Sequence, residues 1–471
     1  MPLKFRVDST EPDAADWTIV ELGFCGRWFD SSAALKAAYP AGDASCGFSR
    51  ATGDFLWEAP SRESPRQARR AVSQDHGVFW GNWSFAVFSR SSQGPALSDV
   101  RFADERVLYE LSLQDALAAY SGDRKDAFFY SDAAWSLSML SASLEPGVDC
   151  PESATFVEAT NWYAFEGRGG TAVADATKAF SFYPTCVFEW TEDHTIWRHM
   201  ENSEKPTVRG LARKTLVVRS IATVGNYDYI TDVKLREDGE IEVGVRFAGY
   251  LETRHLGANN RDAEAAYSTA LHGDLGGPVH SHVACFKVDV DVGGATANAL
   301  RVTTVGTDAT GFNKALATRD VETERTFTSD PKAPTNWRVV DRASTSESGL
   351  ARGYAIALGS WASTEVLPAD HPFVVAMPYA KWHLAVTKFK DGERRPTNPY
   401  VQYDGFDDDF GSQNLANYLD GEAILDEDLV AWVSAGKEHV TRREDLPLVS
   451  NFGVAFSLVP WNFFATNPAA A

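Results

Sequence analysis

Four runs constrain this chain more than anything else in it. TLVVRSIATV (215–224), GEIEVGVRFAGYLET (239–253), HVACFKVDVDV (282–292) and FGVAFSLV (452–459) alternate in polarity or are dense in β-branched and aromatic residues. A period of two puts successive side chains on opposite faces of a strand, a pattern that an amphipathic helix does not produce. Gly, Asn, Asp and Pro clusters separate the runs as antiparallel hairpins require, so the expected fold is mainly β, a large antiparallel β-sandwich. Helical patterning is rare. SSAALKAAY near residue 35 and SLQDALAAY ending at residue 120 are short helix candidates. The polar, proline-containing stretch 60–74 suggests a boundary between a small N-terminal appendage, residues 1–75, and one β-domain over 76–471.

Charge removes some functions. Lys and Arg number 44 against 65 Asp and Glu, for a net charge of −21. That field repels phosphate backbones, so no nucleic-acid partner is expected. Residues 446–471 carry no charge, but Pro447, Ser450, Asn451, Gly453, Ser457, Pro460 and Asn462 interrupt them. They read as a buried strand and a tail, not a membrane span. The first residues, MPLKFRVDSTEPDAADW, contain no apolar secretory core, which favours an intracellular place, cytoplasmic or peroxisomal, and no membrane partner. Five cysteines are too few for a disulfide scaffold.

Chemistry enters with the histidines. His280 and His282 stand two apart in GPVHSHVACFKVDVD, on one face of a strand, where both imidazoles can reach one metal ion. Such a pair is also an ordinary solvated or hydrogen-bonded one. The segment TVGNYDYITD (223–232) would by itself be a turn with a packed tyrosine. It holds Thr223, Asn226, Tyr227, Asp228 and Tyr229, which resemble the T-x-x-N-Y-D/E-Y site of the copper amine oxidases. The stretches CVFEWTEDHTIWRHM (186–200), WVSAGKEHVTRREDLP (432–447) and SLVPWNFFATNPA (457–469) also resemble that family, in its order and spacing.

The resemblance covers roughly residues 80–470, and it implies a function. Tyr227 would be the precursor of topaquinone, and His280, His282 and His439 would hold Cu(II), for which imidazoles are suited donors. The expected activity is oxidative deamination of a primary amine by dioxygen, giving aldehyde, ammonia and hydrogen peroxide, in a homodimer. Tyr120 matches the family's tyrosine beside the quinone, Tyr130 its gate-like tyrosine and Asp132 its catalytic base. The G-E-Y that follows the base in the family is replaced by Ala133, Ala134 and Trp135, and the spacing from Tyr120 is short, so Asp126 is a rival and Asp132 could be a turn residue. Burial beside Trp135, Phe128 and Phe129 is expected to raise the pKa of Asp132.

Cys150 and Cys186 match the family's disulfide, a link conferring ~3–4 kcal/mol in the chain-entropy model. Cys25, Cys46 and Cys285 are then expected to be free buried thiols. Asp289, Asp291 and Asp428, with backbone oxygens of Val290 and Leu429, match a second site whose hard oxygens suit Ca²⁺. Two other readings stay open: a copper oxidase with a diverged reaction on the same scaffold, and a catalytically silent copper-binding scaffold.

Overall fold

The computed structural model describes residues 3–8, 18–24, 27–38, 76–90, 93–123, 127–164, 177–201, 207–257, 261–347, 349–359, 362–398 and 413–470. Two large antiparallel sheets, one of eleven and one of nine strands, dominate these residues. Nine strands position the site: β1 (Glu105–Tyr120), β2 (Phe128–Ser131), β3 (Thr177–Glu201), β4 (Thr207–Val224), β5 (Tyr227–Arg236), β6 (Ile241–Gly249), β7 (His280–Val290), β8 (Leu429–His439) and β9 (Val449–Trp461). The nine-stranded sheet runs β8–β7–β1, and β2 pairs with β1. The other sheet runs β9–β6–β5–β4–β3.

The alternation seen in sequence becomes the core between the sheets. On β5 and β6, Tyr227, Tyr229, Val233, Leu235, Ile241, Val243, Val245 and Phe247 point inward. On β7 they meet Ala284, Phe286, Val288 and Val290. All eleven residues of β7 are buried, because a second layer with Met377 and Tyr379, together with Trp432 from the neighbouring β8, packs with Val283 and Cys285 on its other face. Burying one large aliphatic or aromatic side chain is worth ~1.5–3 kcal/mol, so this shared core is the main stabilising feature.

The runs 215–224 and 452–459 fall within β4 and β9, the runs 239–253 and 282–292 overlap β6 and β7 and extend past them, and SSAALKAAY contains a helix over Ser32–Ala38. SLQDALAAY is a correction. It forms the second half of β1, paired with β7 on one side and with β2 at its end. Its helix-forming composition loses to sheet pairing in which every residue from Leu111 to Tyr120 is buried. Within the uncharged C-terminal run, β9 is partly buried and largely alternating, not wholly buried, and the residues after Trp461 form the tail. Cys150 and Cys186 are disulfide-bonded, and Cys285 is a buried free thiol. Cys25, Cys46 and the stretch 60–74 lie outside the described residues. Among the described residues no helix is long and apolar enough to cross a membrane.

Candidate active site and metal centre

A two-residue turn, Gly225–Asn226, joins β4 to β5 and puts Tyr227 at the head of β5, opposite Val224. Gly225 takes φ +63°, as such hairpin turns require. Gly249 faces Tyr227 across the β5–β6 pair at φ +105°, where a Cβ would lie 2.6 Å from the Asn226 carbonyl. That close approach lets Tyr250 donate its N–H to Asn226 O at 2.7 Å, while Asn226 Nδ2 donates to Tyr250 O at 2.7 Å. Thr223 Oγ1 donates to Asp228 at 2.6 Å. The Thr223–Asp228 motif thus fixes the loop that presents Tyr227.

Sheet register brings the histidines together. His280, first in β7, pairs with Tyr120 at the end of β1 on one side and with His439 at the end of β8 on the other. His282 lies two residues on, on the same face. Ring centroids are 5.0 Å apart for His280 and His282, and 4.8 Å for His280 and His439. Tyr227 Oη lies 3.0 Å from His280 Nε2 and 3.0 Å from His439 Nδ1.

Each imidazole is held by its other nitrogen. His280 Nδ1 is 2.9 Å from Pro278 O, His439 Nε2 is 3.0 Å from Asp445 Oδ2, and His282 Nδ1 is 3.1 Å from Tyr229 Oη. His282 Nε2 is buried without a hydrogen-bond partner. Outer partners of this kind fix the tautomer of a metal-binding imidazole and leave the inner nitrogen's lone pair free. Burial lowers all three pKa values, that of His280 to about 3, so the rings are neutral. The donor set fits copper.

Beside this centre, Tyr120 stacks on His280 with centroids 4.4 Å apart, and its hydroxyl hydrogen-bonds Asn226. Tyr130 is 37% exposed, on the rim, with Trp135 against it. Burial and the charges of Asp445 and Glu252 push the Tyr227 phenol up. The Glu252 carboxylate also bears on Tyr120 and Tyr130, and nothing in the sequence pattern pointed to it.

Asp132 is 1% exposed at the start of a 3-10 turn, Asp132–Trp135. Its pKa is raised well above the ordinary value, first by burial and then by the charge of Asp115, while a hydrogen bond from Tyr229 opposes them. The expected cause was partly wrong. Trp135 is 44% exposed and Phe128 stacks on Tyr120, so the enclosing groups include Asp115 and Tyr229. Asp126 lies outside the described residues.

At the other end of β7, roughly 30 Å away at strand rise, Asp289, Asp291 and Asp428 bring carboxylate oxygens within 4.8 Å of one another. Each has a buried oxygen without a hydrogen-bond partner. Val290 and Leu429 face each other in the β7–β8 ladder between them. Burial pushes Asp289 up to about 7 and Asp428 to about 6, while Lys287 Nζ lies 3.6 Å from Asp289 Oδ2 and Arg106 donates to Asp291 Oδ2 at 3.2 Å.

The family model for the copper amine oxidase enzyme domain matches residues 71–471. The chain belongs to the copper amine oxidase family. It is 31% identical over 495 residues to the liver isozyme of primary amine oxidase from Bos taurus, covering 99% of this chain and 62% of that protein. With the copper-containing diamine oxidase of Sus scrofa it shares 29% over 515 residues, covering 100% of this chain and 65% of that protein. The lysyl oxidase of Pichia pastoris superposes with a TM-score of 0.82 at 27% identity, over 100% of this chain and 65% of that one. The chain therefore spans a little under two thirds of the length of these relatives. The mainly antiparallel β-fold is that of the copper amine oxidases.

Proposed function

We propose that this chain oxidises a primary amine to an aldehyde with dioxygen and water, releasing ammonia and hydrogen peroxide, using copper on His280, His282 and His439 and topaquinone made from Tyr227. The observation that carries this reading is a phenol held 3.0 Å from the inner nitrogens of two neutral histidines, beside a third whose Nε2 has no other use. A quinone at Tyr227 would supply an electrophilic carbonyl and an electron sink. The rest falls to the protein. Asn226 and Gly249 hold the loop, Tyr120 closes one side of the ring, Tyr130 covers the approach, and Asp132 takes a proton from the amine carbon. After aerobic copper loading, the peptide containing Tyr227 should gain two oxygens and lose two hydrogens. Unmodified tyrosine in protein holding one copper per chain would sink the proposal.

The second cluster is proposed to bind calcium. A carboxyl whose folded pKa is raised favours the folded state fully below its unfolded value, and that advantage is lost as pH rises through the folded pKa. Without a cation, Asp289 and Asp428 should therefore cost stability increasingly from about pH 4 to 7. Calcium should raise the melting temperature strongly at pH 8 and little at pH 5, where protons compete for the same oxygens. Equal shifts at both pH values would argue against binding there.

The β3–β4 hairpin supports a homodimer. Beyond the core it pairs Trp197 with Leu211, both exposed, with Trp190 and Met200 exposed nearby. Such an apolar arm favours a partner surface, and light scattering should give twice the chain mass. A monomer at micromolar concentration would contradict the dimer without touching the copper site.

A further inference from the structure

Behind Asp132 sits a second carboxyl group, Asp115, fully enclosed within β1. Its Oδ1 accepts from the N–H of Ala133 at 3.0 Å and of Ala116 at 2.9 Å. The Ser131 hydroxyl lies 3.1 Å from both of its oxygens, and Thr397 Oγ1 donates to Oδ2 at 2.9 Å. Ser131 and Ala133 are the residues on either side of Asp132. We propose that Asp115 is a positioning residue for amine oxidation: it grips the turn that carries Asp132, and its negative charge against that turn governs when Asp132 holds a proton. The inference rests on Asp132 being the base of the proposed function.

Donor supply decides which carboxyl carries the charge. Hydrogen bonds to a carboxylate favour its ionised form, and burial without them favours the acid. Asp115 has two backbone N–H groups and three hydroxyls, those of Ser131, Thr397 and Tyr379, directed at it. Asp132 has the Tyr229 hydroxyl on one side, and its Oδ2 is buried with no partner. A pair of titratable groups driven apart in this way commonly marks an acid–base assignment. Burial raises both carboxyls, Asp132 further than Asp115, so Asp115 is the first of the pair to ionise and Asp132 the last to give up its proton.

The titratable groups bearing on the pair come from several elements. Tyr120 on β1, Tyr130 on β2, Tyr229 on β5 and Tyr379 from the 3-10 turn at Pro378–Lys381 face Asp132. Cys285 on β7 and Tyr379 face Asp115. All are neutral near pH 7, since burial raises every one of these phenols and the thiol.

The test follows the proton directly. Infrared titration of the copper-free protein should show a protonated carboxyl band that is missing in Asp132→Asn. In Asp115→Asn, where the amide oxygen can still accept from Ala133, the midpoint of that band should fall by about one pH unit or more. The acid limb of kcat/KM in the mature enzyme should move to lower pH by a similar amount. A purely structural Asp115 would change the melting temperature and neither midpoint. An unchanged midpoint and acid limb in folded Asp115→Asn protein would overturn the inference. Should that variant fail to fold, Ser131→Ala removes the hydroxyl that both Asp115 oxygens share, and should move the Asp132 midpoint in the same direction by less. No movement there would overturn it equally. An Asp132→Asn enzyme with parent turnover would instead sink the assignment of the base, a failure that the infrared midpoint does not share.

Discussion

A Tyr227→Phe protein is expected to fold, bind one copper per chain, stay colourless and oxidise no amine. The ring of Tyr227 is 2% exposed and packs edge-on to His282 at 4.8 Å, contacts that phenylalanine keeps. The lost hydroxyl leaves His280 Nε2 and His439 Nδ1 without their partner. Orphaning such buried polar atoms costs ~1–3 kcal/mol in the metal-free chain. Copper would relieve that cost, because both are the nitrogens left free by Pro278 and Asp445. The effect on turnover should be total, since no ring oxygen remains to become a quinone carbonyl. Absorbance, phenylhydrazine labelling and metal analysis of one preparation read the three expectations together. Colour, or amine turnover above background, in the Tyr227→Phe protein would place the cofactor elsewhere.

The parts of this site that sequence revealed are those set by short-range pattern. The two-residue spacing of His280 and His282 needs only strand geometry, and the Thr223–Tyr229 motif is contiguous. His439 came from resemblance alone, because its pairing with His280 joins residues from distant parts of the chain. Asp115 escaped notice because SLQDALAAY reads as a helix, on whose solvent face its single acid would need no partner. As a strand, the same segment is buried on both faces, and a carboxyl group inside it needs partners. An acidic residue within an otherwise apolar run was the available signal. Glu252 offered none, since its effect on three tyrosines arises from the loop after β6 folding back over Asn226.

The Asp132→Asn variant should separate making the cofactor from using it. On the proposed function, cofactor formation would need Tyr227, the three histidines and oxygen but not Asp132, so the variant should load copper and turn pink. Amine turnover should nevertheless drop by ~10²–10⁴, the range typical of a lost general base. The raised pKa fixes the sign of the pH dependence. A base acts when deprotonated, so in the parent enzyme the acid limb of kcat/KM should lie above the ordinary carboxylate range. Tyr229 ties this carboxyl group to the metal centre. If His282 Nε2 takes the copper proposed here, Nδ1 would carry the proton and donate to the Tyr229 oxygen, which would leave the Tyr229 hydroxyl to donate to Asp132. Asparagine can accept the same bond through its amide oxygen, so the geometry should survive while the basicity is lost. The parallel Asp126→Asn variant should keep parent turnover. A pink Asp132→Asn enzyme with full activity, beside an inactive Asp126→Asn one, would transfer the role to Asp126. Full activity in both would mean that the proton leaves by a route that uses neither carboxylate.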